Sequence, residues 1–234
     1  MLFIGPPFGN YLSLPQTKSI AGSFTINERP GLYSQIYKTL YYSYKHNGWV
    51  NKIGLRNKGI DWALKNVSKD KVLSISILDE NDIDLFLKKI PENRDIEINI
   101  SCPNVDNKLI HNNIYKFLNN QREWCILKIS PTMPNKDIHN FYNLGFRQFH
   151  CCNTLPVEDG GLSGPSIIPY TNNKIKFINQ LKDTTIIAGG GIRKINDLNK
   201  YNDLGASHFS ISTICFNPYL LSCFYLNYIF KNHN

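Results

Sequence analysis

"DIEINISCPNV", residues 95–105, decides how the chain is read. Its first six residues alternate polar and apolar side chains with a period of two, the pattern of a β-strand. Pro103 then ends the ladder, because proline has no N–H to donate. Asn99, Cys102 and Asn104 therefore fall where a strand becomes a loop. Asparagine is a poor strand residue, so two of them around a thiol at a strand end suggest a polar pocket. The plainer account of any single asparagine is that it caps its own loop.

Working outward, short apolar runs of the same kind recur: "LFI" (2–4), "SIAGSFTI" (19–26), "KVLSISIL" (71–78), "WCILKIS" (124–130), "FRQFHCC" (146–152), "TTIIAG" (184–189) and "ASHFSIS" (206–212). Helical patterns lie between them, near 57–66, 81–90, 108–120, 135–144, 171–182 and 194–204, with a last one at 217–231. "SPTMPNKDIHNFYNLG" (130–145) shows the boundary signals, with prolines before the helix, apolar residues at helical spacing and Gly145 after it. Strand–helix alternation with buried-type strands gives parallel βα units. With 95–100 counted, the strands predict an α/β fold, a TIM (β/α)8 barrel; a doubly wound sheet is the other arrangement open to this pattern. The 234 residues are enough for one such core, and no domain boundary or repeat interrupts them, so residues 1–234 read as a single domain. The segment 29–56 is aromatic-rich and β-prone, fits no crossover helix, and reads as an excursion on top of the barrel carrying a small hairpin.

Composition narrows the classes. With 42% hydrophobic and 19% charged residues the chain is an ordinary globular one. No apolar stretch reaches the ~18 residues that cross a bilayer, and "MLFIGPPFGN" lacks the basic start of a signal peptide. The charge of +8 suits an anionic partner, but its basic residues are scattered, which favours a solvated lysine-rich surface over nucleic-acid binding. The six cysteines form no C-x-x-C pair and several lie in apolar runs, so neither a zinc site nor a disulfide framework is expected, and a reducing, cytoplasmic compartment is.

In a barrel of this kind chemistry sits at the C-terminal ends of the strands. Those ends carry Ser74 and Ser76, Asn99 with Cys102 and Asn104, Lys128, Asn153 and Thr154, and Ser212 and Thr213. "EDGGLSGPS" (158–166) and "IIAGGGI" (186–192) fall near strands six and seven, where this architecture commonly builds a phosphate site from backbone N–H groups. Together they describe a cradle for a phosphorylated cofactor. Lys128 has no sheet edge to snorkel from in a closed barrel, which favours an inward charge against an electron-rich ring such as a flavin.

"INISCPN", "LKISP", "CNT" with "GGLSG", "IIAGGGI" and "ISTI", in this order, resemble the motifs of dihydroorotate dehydrogenases, and "GSFTINERPG" and "VNKIGLRNKG" resemble two more of their stretches. The resemblance covers roughly residues 20–220. It implies an FMN-dependent barrel that oxidises dihydroorotate to orotate in pyrimidine biosynthesis. Under it Asn51, Asn99, Asn104 and Asn153, with Thr154 beside them, hold the pyrimidine. Cys102 is the general base that removes the C5 proton, the choice of the soluble class. Gly22, Ser23, Ser76 and Lys128 lie at the flavin, and Ser163, Gly164, Gly190, Gly191, Ser212 and Thr213 hold its phosphate. The partners implied are the small-molecule substrate and no nucleic acid or membrane. A homodimer is compatible with barrels of this type, and fumarate or NAD through a partner subunit is left as acceptor.

Two departures stand out. In the register set by "FTINERPG", Gly22 occupies the position of a family lysine, and Lys18 reaches that position only by a four-residue slip. The loop after Cys102 is also short. A barrel that binds FMN but has lost activity is therefore an alternative, and a flavin-dependent reductase of uracil in tRNA is a second.

Overall fold

The computed structural model describes residues 1–100 and 113–232. Eight parallel strands close into a barrel in the order β1 (Leu2–Ile4), β2 (Thr17–Phe24), β5 (Val72–Ser76), β6 (Ile96–Asn99), β7 (Cys125–Ile129), β8 (Gln148–Cys151), β11 (Thr185–Gly189) and β12 (His208–Ile211). Closure pairs the first strand with the last, Leu2 with Phe209 and Ile4 with Ile211. The fold is thus the TIM barrel, and the doubly wound sheet, which has two edges, is excluded. Outside it lie α2 (Ile60–Asn66), α3 (Asn81–Lys89), α4 (Asn135–Asn143), α5 (Ile168–Ile178), α6 (Ile195–Asp203) and α7 (Pro218–Asn232). The first turn of α5 contains Pro169 and begins before the expected 171, because proline's fixed φ suits that position. Of the helix expected at 108–120, residues 114–117 form a short 3₁₀ turn, and 108–112 lie outside the described residues.

Both faces of the strands are buried, as parallel barrels require. Outward residues such as Leu73, Ile98, Leu127 and Phe149 form one core with Phe86, Phe117, Phe141 and Ile175. Phe3, Ile20, Val72, Trp124, Ile126 and Ile187 form a separate cluster, which fills the lower interior; the Phe3 and Trp124 rings meet edge-on at 5.1 Å. One step further along the same inward phase come Ser74, Lys128, His150 and Ser210, with Glu97 beside Ser74. The interior is therefore apolar at its base and charged towards the C-terminal mouth.

The excursion corrects the sequence reading. It holds the expected hairpin, β3 (Tyr41–Ser43) and β4 (Gly48–Asn51), but also a helix, α1 (Leu32–Thr39). "LYSQIYKT" is rich in tyrosine, threonine and isoleucine, which favour strands, and α1 buries none of its side chains, so no apolar face announces it. Gly31, at φ +93°, turns the chain into it. The glycine-rich stretch 158–166 is likewise more than a loop. β9 (Leu155–Val157) and β10 (Gly160–Ser163) form a hairpin that pairs with β4 to give a sheet of order β3-β4-β10-β9. Since its two halves leave the C-terminal ends of β2 and β8, this sheet lies over the mouth.

Candidate active site

A chain of hydrogen bonds crosses the mouth from strand to strand. Asn153 Nδ2, just beyond β8, donates to Asn99 Oδ1 at 3.2 Å. Asn99 Nδ2 donates to Ser23 Oγ at 3.0 Å, and Ser23 and Ser74 hydroxyls lie 2.8 Å apart. Ser74 Oγ donates to Glu97 Oε1 at 2.8 Å. A carboxylate only accepts, so Ser74 spends its proton on Glu97 and the Ser23 hydroxyl must donate to Ser74. Every donor in the row then points towards Glu97, and the bonds polarise one another in the same sense.

Glu97 is fully buried and is the centre of the charge. His150 Nδ1 lies 2.5 Å from Oε2 and Lys128 Nζ lies 3.5 Å from Oε1. Burial pushes the Glu97 carboxyl up, but the charges of Lys128 and His150 and the bonds from His150 and Ser74 pull it down to about 2. Glu97 is therefore ionised. Burial, the largest influence on His150, drives its pKa down despite the Glu97 carboxylate, so the imidazole is neutral, with its proton on Nδ1 facing Glu97.

Beside this group opens a cleft lined by Lys128, His150, Asn153, Thr154, Ser163, Gly164, Gly189, Gly190, Gly191, Ser210, Ser212 and Thr213. None of the described residues that line it is acidic. The lining offers small polar side chains and glycine backbone from the later strands, with a lysine from β7. That donor set suits an elongated cofactor with an anionic tail and an electron-rich head, and the residues present fit FMN. The glycines have a second reason to be there. A Cβ on Gly190 would come within 2.3 Å of Ile167, and one on Gly191 within 2.6 Å of Ile168, so both let the start of α5 pack against the strand end.

The expected residues do not all fall in one place. Lys128, Asn153, Thr154, Ser163, Gly164, Gly190, Gly191, Ser212 and Thr213 share the cleft, while Asn99 and Ser23 reach it through Asn153. Asn51 stands on the covering sheet opposite Gly161, whose missing Cβ would meet Thr154 Oγ1 at 2.6 Å, so Asn51 and Thr154 share a face. Ser76 lies opposite Asn99, buried, its hydroxyl without a partner among the described residues. Cys102 and Asn104 lie outside the described residues. Gly22 admits no side chain: its φ is +135° and a Cβ would approach the Ser74 carbonyl to 2.3 Å. Lys18 does not take its place, because it pairs with Asp95 at 2.8 Å at the opposite, N-terminal rim. Glu97 and His150 are the members of the charged cluster beside the cleft that the sequence reading passed over. The signal was present, since an acid in "DIEINI" and a histidine in "FRQFHCC" have no edge to escape to, the argument applied there to Lys128 alone.

The fold is a (β/α)8 barrel, and its polar groups gather at the C-terminal mouth of the strands, where barrel enzymes carry their active sites. No family model matches the chain. It is 29% identical over 210 residues to the catalytic subunit of the NAD(+)-dependent dihydroorotate dehydrogenase B of Malacoplasma penetrans, covering 74% of this chain and 69% of that protein. The corresponding subunit of Petrotoga mobilis is 25% identical over 261 residues, covering 92% and 82%. A putative fumarate-type dihydroorotate dehydrogenase A of Streptococcus agalactiae is 29% identical over 211 residues, covering 71% and 66%. A crystal structure of the Eimeria tenella dihydroorotate dehydrogenase in complex with ferulenol superposes with a TM-score of 0.71 at 18% identity, over 92% of this chain and 75% of that one, a likeness of fold. The chain is a divergent homologue of the dihydroorotate dehydrogenases and, by that kinship, an oxidoreductase. No helix among the described residues is long and apolar enough to cross a membrane.

Proposed function

We propose that the protein oxidises dihydroorotate to orotate with FMN, as a step of pyrimidine biosynthesis. The observation that carries this reading is the hydrogen-bonded row from Asn153 through Asn99 to Ser23, set beside the cleft that runs from Lys128 to Thr213. A dihydropyrimidine presents alternating C=O and N–H groups, and amide side chains match both. Asn99 and Asn153, with Asn51 and Asn104, hold the ring in one orientation. Cys102, as thiolate, removes the C5 proton. FMN, when bound, accepts the hydride from C6. Lys128 sets a positive charge at the head of the cleft, Gly22 and Ser23 line the near wall, and Ser163, Gly164, Gly190, Gly191, Ser212 and Thr213 hold the phosphate. The sheet over the mouth, carrying Asn51, excludes water from the reacting carbons.

The test is anaerobic. The purified protein should be yellow, release FMN on denaturation and bleach when dihydroorotate is added. Cys102→Ala should keep the colour and lose the bleaching, while Cys223→Ala, altering an exposed thiol on α7, should bleach like the unchanged protein. A protein that takes up no FMN, or equal bleaching in both variants, refutes the assignment. A second reading, FMN and orotate binding with impaired turnover, is favoured by Gly22 and by Lys18 at the far rim; its signature is a yellow protein that binds orotate but does not bleach with dihydroorotate.

A further inference from the structure

We propose that His150 is the proton store of this site: its Nε2 takes up a proton when a bound flavin is reduced and releases it on reoxidation. The proposal rests on the FMN reading above. Four observations carry it. His150 lines the same cleft as Lys128. Its Nδ1 is committed to Glu97 Oε2 at 2.5 Å, so Nε2 carries the lone pair. Nε2 faces Gly189 on the cleft wall, 3.0 Å from where a Cβ of that residue would stand, and among the described residues no donor to it is found. A glycine there leaves room at the nitrogen on the cleft side, where a Cβ would crowd it.

The charge count gives the mechanism. The groups facing His150 are Glu97 on β6, Lys128 on β7 and Gly189 on β11, and Ser210 on β12 lines the same cleft. Lys128 and Glu97 cancel, so the resting cluster is neutral. Two electrons and one proton entering a flavin leave one negative charge on its ring. A second proton, drawn from solvent to Nε2, would balance that charge, and the Glu97 carboxylate on the opposite nitrogen is placed to stabilise the imidazolium. Glu97 cannot play this part itself, because its oxygens already accept from three donors.

The experiment is redox potentiometry of the FMN-loaded protein, with dithionite as reductant and mediators present, between about pH 7 and 8, where the resting imidazole, held below its ordinary 6.5 by burial, is neutral. For a two-electron couple each proton contributes a slope of about 30 mV per pH unit. The unchanged protein should take up two protons per electron pair and His150→Gln one. A one-proton slope in the unchanged protein, or two in the variant, overturns the proposal. Independently of whether the variant folds, the reduced-minus-oxidised infrared difference spectrum of protein labelled with ¹⁵N-histidine should show one imidazole passing from neutral to charged, and its absence is equally fatal. If the unchanged protein holds no FMN, the cofactor reading itself fails, which is seen before any potential is measured.

Discussion

Replacing Glu97 by glutamine tests the electrostatic centre of the barrel directly. The change keeps the shape but deletes the carboxylate that, among the described residues, alone contacts Lys128 and His150. At 3.5 Å and an effective dielectric of about 20, the attraction between unit charges is about 5 kcal/mol. Removing one partner of a buried pair leaves the other charge stranded, at a cost of about 3–5 kcal/mol. Glu97→Gln should therefore lose about that much stability in urea unfolding, followed by the fluorescence of Trp124, which packs inside the barrel. Lys128→Met added to it removes the stranded ammonium, and the double variant should recover all but about 1–2 kcal/mol, since an apolar pair can replace a buried ionic one nearly without loss. The two changes are thus strongly non-additive. If Glu97→Gln costs under about 1 kcal/mol, or the double variant is as unstable as the sum of the singles, then Lys128 is not held by Glu97 and the charge count beneath the cleft is wrong.

Gly22→Lys, which would supply the lysine that the resemblance leads one to expect there, should lower thermal stability by at least about 2 kcal/mol without raising turnover, because any Cβ collides with the Ser74 carbonyl at a φ of +135°; a stable and faster variant refutes the register. Acid should destabilise the protein in two stages. His150 is held below its ordinary 6.5 by burial, so the unfolded chain gains its proton first and stability begins to fall below that pH. Glu97, lowered from 4.5 to about 2, contributes stability that is complete above 4.5 and lost on the way down to about 2, some 3 kcal/mol at about 1.36 per pH unit. Melting curves from neutral to strongly acid pH check both stages, and the lower stage should vanish in Glu97→Gln.

Period and alternation carried most of the fold. Each of the eight barrel strands falls inside or within two residues of an apolar run, because parallel strands buried on both faces must be apolar and short. What escaped was held by something other than an apolar face. α1 buries no side chain and stands only on its turn at Gly31 and its place beside β4. The β9–β10 hairpin is glycine-rich and finds its partner in β4, more than 100 residues earlier in the chain, a pairing that no local pattern encodes. In the site, the motif asparagines and glycines were legible as strand-end polar groups. Glu97 and His150 were not, since a reading that looks for polar residues at the ends of strands passes over those within them.

The register that closes the barrel is the same one that assembles the site. Side chains alternate along a strand, so a one-residue slip of β6 would turn Ile96 and Ile98 inward and push Glu97 and Asn99 into the apolar layer beneath the helices. There the carboxylate would meet Phe86, Phe117 and Ile114, with neither Lys128 nor His150 in reach, and an unpaired buried charge of that kind is among the costliest defects a fold can carry. The slip is thus penalised by the charge as well as by the apolar pattern. The penalty also orients the amides. Because every donor in the row runs down to Glu97, its negative charge fixes Ser74, then Ser23, then the Nδ2 side of Asn99, leaving the carbonyl side of Asn99 turned to Asn153. A carboxylate no ligand touches would then decide which way the nearest asparagine faces one. It follows that Glu97→Gln should weaken orotate binding as well as stability, and that adding Lys128→Met should restore the second far better than the first.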